Sequence, residues 1–139
     1  MTREIKFKAW DEQNKIMHFD FQFIKSGEAG NDWIIFKSDK QKLEKGDVFN
    51  NPYFSQQLKI MQWTGLLDKN GKEIYEGDIV SVSLSLGYSN NRVVVWNKIG
   101  GSWCFSEDGI QEGIDLDFTD IGDDIEIIGN IHENKELLK

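Results

Sequence analysis

The chain is poor in the residues that carry most recognisable chemistry: 139 residues include one cysteine, one proline and two histidines. Cys104 alone cannot close an internal disulfide, so the fold has no covalent staple and suits a reducing compartment. It lies between Trp103 and Phe105, where a buried, inert thiol is expected rather than a nucleophile. Long apolar runs are also missing, and nothing approaches the ~20 apolar residues that span a bilayer. The opening MTREIKFKAW alternates charged with apolar residues instead of forming an apolar leader. Neither export nor membrane insertion is expected, and the expected location is the cytoplasm. His18 and His132 alternate with apolar neighbours and form no metal-spaced pair. No CxxC, Walker loop or serine-centred elbow is present. A non-enzymatic protein is therefore expected, with no catalytic residue, metal ligand or cofactor assigned.

Basic residues run out along the chain. Residues 1–60 hold ten Lys or Arg against nine Asp or Glu, a net of +1; residues 61–139 hold six against fifteen, a net of −9, and the two sum to −8. Between Lys98 and Lys135 there is no basic residue. Nucleic-acid affinity comes largely from neutralising phosphates with Lys and Arg, so direct DNA or RNA binding through this half is not expected.

What is present is enough for a core. Hydrophobic residues make up 39% and aromatics 12%, too much apolar mass for a disordered chain despite the net charge. The pattern is β throughout. Ile5, Phe7 and Ala9 alternate with Lys6, Lys8 and Trp10; Met17, Phe19, Phe21 and Phe23 alternate with His18, Asp20, Gln22 and Ile24. These predict two antiparallel strands joined by the polar turn DEQNK, with WIIF at 33–36 as a third. Residues 37–57, which include Pro52, read as a connecting segment with one helical turn around 39–45. LKIMQW at 58–63 is strand-like, with Thr64-Gly65 expected to break it. In IVSVSLSL, Val80, Val82, Leu84 and Leu86 share one face and Ser81, Ser83 and Ser85 the other. Further strands are expected near 92–97, 102–106, 114–118 and 125–131, and a helical turn in HENKELL.

LLDKNGKEIYEGDIV at 66–80 poses a choice between a calcium loop and a tight turn. Asp68 and Asn70 fit an EF-hand opening, but Lys72 and Glu73 occupy the fifth and sixth positions and Ile79 stands in place of the bidentate glutamate. The calcium reading fails there. Asn-Gly at 70–71 favours a type I′ hairpin turn, and EGD at 76–78 is a second tight turn. A second spacing, Asp115, Asp117, Thr119, Asp123 and Glu126, supplies oxygen donors at EF-hand intervals, yet Asp120 replaces the glycine and the flanks read as strands. A solvated acidic face is the simpler reading, and a partner-binding surface the other.

KFKAWDEQNKIM, MQWTGLLDKNGKEIYEGDIV and IEIIGNIHENKELL, in this order and spacing, resemble the YopX family of small proteins of phages and prophages. Trp63 and His132 depart from it, standing where tyrosine is expected in many relatives. The resemblance implies a mostly β fold, a phage or prophage origin, a location in the bacterial host cytoplasm, and no catalytic residues to carry over. The glycine-aspartate turn leading into an apolar strand also resembles the start of SH3-like barrels. The expected architecture is an N-terminal β-meander over 1–60 packed on an SH3-like small barrel over 61–139.

Candidate interaction residues follow. Trp63 and Tyr75 flank the most distinctive motif and are the aromatic pair expected to line a groove. Asp78, with Asp68, Glu73 and Glu76, clusters about two turns, where aspartates most simply hydrogen-bond their own backbone. Asp115, Asp117, Asp120, Asp123 and Asp124 form the acidic stretch. The expected role is an interaction or assembly module with a protein partner or itself, a homo-oligomer being favoured. The alternative is an acidic inhibitor that captures a basic host nucleic-acid-binding protein.

Overall fold

The computed structural model describes residues 4–12, 15–19, 21–25, 33–37, 58–83, 89–107 and 124–138. Among the described residues the protein is mostly β with almost no helix, as its alternating pattern predicts. The chain forms two units, one of Met1–Lys6 with Gln62–Lys139 and one of Phe7–Met61.

In the first unit, β7 (Asp78–Ser83), β8 (Ser89–Asn97), β9 (Ser102–Ser106) and β10 (Ile125–Asn130) form a four-stranded sheet in the order β10-β7-β8-β9. Every pairing is antiparallel. Side chains alternate between faces along a strand, and here both faces are apolar. One carries Val80, Val82, Val94, Phe105 and Ile125, which form a cluster with Ile74 from outside the sheet and have Trp103 and Ile127 packed against them. Ile79, Val93, Val95 and Cys104 form the second cluster, covered by Ile131, Leu137 and Leu138. Leu137 and Leu138 belong to a short 3-10 helix, Lys135–Leu138, at the place expected for a terminal helical turn. Cys104 is buried and in no disulfide. Val80 and Val82 are buried while Ser81 is half-buried and Ser83 exposed, so the alternation holds. Trp96 and Trp103 face each other across β8 and β9, edge to face, with centroids 5.0 Å apart. The order β10-β7-β8-β9 agrees with an SH3-like arrangement; the strand expected at 114–118 lies outside the described residues, as do the helical turn at 39–45 and Leu84 and Leu86.

In the second unit, β1 (Phe7–Asp11) pairs antiparallel with β2 (Ile16–His18), and β3 (Phe21–Lys25) with β4 (Trp33–Lys37). Three expectations change. The stretch 17–24 is not one strand: β2 and β3 lie in different sheets. Strand β1 is not one-sided, because Lys8, Ala9, Trp10 and Asp11 are all buried whereas Ile5 is exposed. Trp10 meets its buried polar need by donating Nε1–H to Glu12 Oε2 at 2.7 Å. Finally, Thr64-Gly65, which belongs to the first unit, does not break the strand at 58–63, since β5 runs from Leu58 to Leu67. The reason is local. The buried Thr64 hydroxyl donates to the Ile74 carbonyl at 2.8 Å and accepts the Leu66 N–H at 3.2 Å, bridging the irregularity while Gly65 takes φ 88°. Among the described residues no helix is long and apolar enough to cross a membrane.

Candidate functional site

The distinctive motif folds as the end of β5, a loop, β6 (Glu73–Tyr75), a second turn and the start of β7. The loop is not the type I′ turn that Asn-Gly suggests. Gly71 N–H donates to the Asp68 carbonyl at 3.0 Å and Asp68 N–H to the Lys72 carbonyl at 2.8 Å. Among the described non-glycine residues, Lys15 alone has positive φ, so Asn70 does not take the left-handed conformation that type I′ requires; Gly71 does, at φ 80°. The result is a three-residue loop ending in a left-handed glycine.

Asp68 organises this loop. Its Oδ1 accepts the N–H groups of Asn70 at 2.8 Å and Lys72 at 2.9 Å, while Oδ2 accepts the N–H of Ile127 in β10 at 3.1 Å. Lys69 N–H donates to the Ile125 carbonyl at 2.8 Å. One carboxylate thus joins a hairpin loop to a strand 59 residues away. Burial pushes its carboxyl up, and the Lys72, Ile127 and Asn70 amides more than offset that, holding it below the ordinary carboxylate range. Outside, Lys69 Nζ pairs with Glu126 Oε2 at 2.8 Å, and Asn70 Nδ2 donates to Glu126 Oε1 at 3.4 Å.

A second network lies along β5 and β6, where Trp63 and Tyr75 are direct register partners. Lys6 Nζ is 2.5 Å from Glu73 Oε1 and 4.7 Å from the Trp63 ring centroid, a cation–π contact. Tyr75 donates its hydroxyl proton to Glu73 Oε2 at 2.8 Å. The Lys6 ammonium first, then the Tyr75 hydroxyl, hold Glu73 below its ordinary range. The Lys6 carbonyl accepts the Trp63 N–H at 2.9 Å, so the N-terminal segment is bound by backbone as well as side chain.

The EGD turn is a third feature. Asp78, 1% exposed, accepts the Tyr75 N–H on Oδ2 at 2.8 Å. Gly77, at φ 80°, donates to the Val94 carbonyl at 2.8 Å and accepts the Ile131 N–H at 2.9 Å. Glu76 N–H donates to the Gln62 carbonyl at 2.8 Å. Partial burial pushes the Glu76 carboxyl up, with the Gln62 amide offsetting part of the effect.

Trp63 and Tyr75 therefore meet, but Tyr75 is 5% exposed, and Trp63 is the half-buried member, with Lys6 over its ring. Asp78 is committed to its turn. Asp124 is exposed, whereas Asp115, Asp117, Asp120 and Asp123 lie outside the described residues. Among the described residues no group of three or more His, Cys, Asp or Glu side chains is placed to hold a metal ion. Sequence reasoning missed Lys6, 67 residues from its partner Glu73, for which no local signal exists. It also missed Leu66 and Leu67, exposed at 43% and 56%. A signal for these was available: consecutive strand residues point to opposite faces, so two adjacent leucines before a polar loop cannot share one buried face.

A buried aspartate stapling a short hairpin to an antiparallel sheet defines a small all-β protein with its signature concentrated in one loop. The chain belongs to the YopX family: the sequence pattern of the YopX protein matches residues 6–139. It is similar to protein EF1440 from Enterococcus faecalis at 29% identity, covering 99% of this chain and 100% of that one with a TM-score of 0.60. The crystal structure of yopX from Bacillus subtilis is similar in fold, with a TM-score of 0.64 at 20% identity over 96% of this chain and 98% of that one. Among curated proteins nothing matches.

Proposed function

We propose that this chain is a non-enzymatic interaction module of a phage or prophage, working in the cytoplasm of the bacterial cell by associating with a protein partner, in the first instance a second copy of itself. The observation that carries the reading is the exposure of Leu66 and Leu67, at 43% and 56%, at the end of β5 beside the half-buried Trp63. Aromatic and aliphatic side chains exposed on a rigid strand are the kind of anchor on which interfaces concentrate their energy. The surrounding carboxylates support it, since Asp68, Glu73 and Asp78 are each engaged by backbone amides, a lysine or a tyrosine.

A second reading, capture of a basic host nucleic-acid-binding protein, is favoured by the net charge of −9 over residues 61–139, six basic against fifteen acidic. Long-range attraction of that size speeds association with a basic partner and weakens as salt is added. Salt separates the two readings. Sedimentation of the purified protein at low and high salt reports self-association driven by apolar contacts, which persists in both. A pull-down from bacterial extract reports capture, which is lost at high salt and lost when Asp115, Asp117, Asp120, Asp123 and Asp124 are changed to asparagine. A monomer that retains nothing from extract at either salt contradicts both readings.

A further inference from the structure

We infer that Asn70 is a site of spontaneous covalent modification, in which its side chain closes on the Gly71 nitrogen and the loop that joins the hairpin to β10 is altered irreversibly. Residues 70–71 are the sole Asn-Gly pair in the chain, and both residues are exposed. Ring closure needs the backbone nitrogen of the following residue to reach the amide carbon, and a side chain on that residue hinders it. Gly71 has none, and the position a Cβ would take is open, with nothing within 4 Å.

The step balances without any other reagent than water. The Gly71 nitrogen, having lost its proton to hydroxide, bonds to Asn70 Cγ; Nδ2 takes a proton from water, which regenerates hydroxide, and the bond from Cγ to Nδ2 breaks so that ammonia leaves, giving a succinimide. Water then opens the ring at either carbonyl, yielding aspartate or isoaspartate at position 70. Two native bonds oppose the reaction, from Gly71 N–H to the Asp68 carbonyl at 3.0 Å and from Asn70 Nδ2 to Glu126 Oε1 at 3.4 Å. Hydrogen bonds in an exposed loop open locally at small cost, so they slow the reaction below the rate of an unfolded chain without abolishing it.

The surroundings give the change a structural consequence. Asn70 Nδ2 donates to Glu126 Oε1 at 3.4 Å, and Glu126 already shares Lys69 at 2.8 Å. Either product replaces that donor with a carboxylate facing a carboxylate. Isoaspartate also inserts a backbone carbon between two residues of a loop whose amides at 70 and 72 both bond Asp68 Oδ1. Because Asp68 Oδ2 holds Ile127, loosening the loop loosens its attachment to β10. The protein carries a one-way chemical timer on the loop of its most distinctive motif.

The test is to incubate the folded protein at neutral and mildly alkaline pH, with a parallel sample unfolded in urea, and map peptides by a method that separates aspartate from isoaspartate. The expected result is both isomers at position 70 in the folded sample, accumulating in proportion to hydroxide and more slowly than in urea, with no conversion in Asn70→Gln, whose longer side chain closes a less favourable ring. A folded sample that keeps its amide at 70 throughout the time the urea sample needs to convert fully would overturn the inference. The urea midpoint is expected to fall as the modified fraction rises, and a midpoint indifferent to complete modification would overturn the link to β10.

Discussion

Asp68 and Glu76 lie in neighbouring turns of one motif, and their environments push their carboxyls in opposite directions. Asp68 receives the amides of Lys72, Ile127 and Asn70 and is held below the ordinary range. Its folded-state pKa is depressed, so its contribution to stability is complete above the unfolded value of about 3.9 and is lost as pH falls through the lower folded value. Asp68→Asn turns an amide NH2 toward the Ile127 N–H, or else toward the loop amides, and leaves at least one buried donor unsatisfied. Urea unfolding at neutral pH is expected to show a loss of about 1–3 kcal/mol, with a weaker dependence on acid than the parent protein. Equal acid sensitivity in the two proteins would contradict the assignment. Glu76 behaves in the reverse sense. Its folded pKa is raised by partial burial, so the protein is more stable below the unfolded carboxylate value and loses that increment as pH rises through the folded one. Glu76→Gln is expected to raise the urea midpoint at neutral pH and leave it unchanged in acid.

At the level of elements, turns were the most and the least legible features of the sequence. That Asp68 and Asp78 bond nearby backbone follows from residue type, and both do, through Asn70 and Lys72 in one turn and Tyr75 in the other. The kind of turn at 69–71 does not follow, because Asn-Gly fits two-residue and three-residue loops alike; the Asp68–Lys72 backbone pair and the carboxylate beneath it decide for the longer one. Strand continuity through Gly65 was hidden for a similar reason, since it depends on a Thr64 hydroxyl meeting the Ile74 carbonyl ten residues on. The turn after β10 has its own requirement. A Cβ on Gly129 would lie 2.6 Å from Asn134 Oδ1 and 2.8 Å from its Cβ and Cγ. Asn134 Oδ1 accepts the Asn130 N–H at 3.3 Å, and Asn130 Oδ1 in turn accepts the N–H groups of His132 and Glu133 at 3.0 Å. Gly129→Ala must displace Asn134, at a cost of about 1–3 kcal/mol typical of overpacking. Thermal unfolding is the check, and a variant as stable as the parent would show that the turn gives way freely.

For the whole molecule, the β class was legible because period-two alternation records which strand face is buried, as in Val80, Ser81 and Val82. The covering of both faces of the β10-β7-β8-β9 sheet was less so. Ile79, Val93 and Cys104 join a second cluster only because Ile131, Leu137 and Leu138 pack over them, a long-range fact that local pattern does not encode. The exposed end of β5 is the counterpart to these covered faces, and the proposed interaction surface lies there. Leu66 and Leu67 lie two residues and one residue before the Asp68 staple, so they are displayed on a fixed strand end rather than on a free loop. Static light scattering of the purified protein at low and high salt, beside the double variant Leu66→Ser with Leu67→Ser, tests this most directly. The expected mass is a multiple of the 16.1 kDa chain at both salt concentrations for the parent, falling to that of the single chain in the variant; a parent that is monomeric throughout, or an oligomer that the two serines leave intact, would contradict self-association through this strand end.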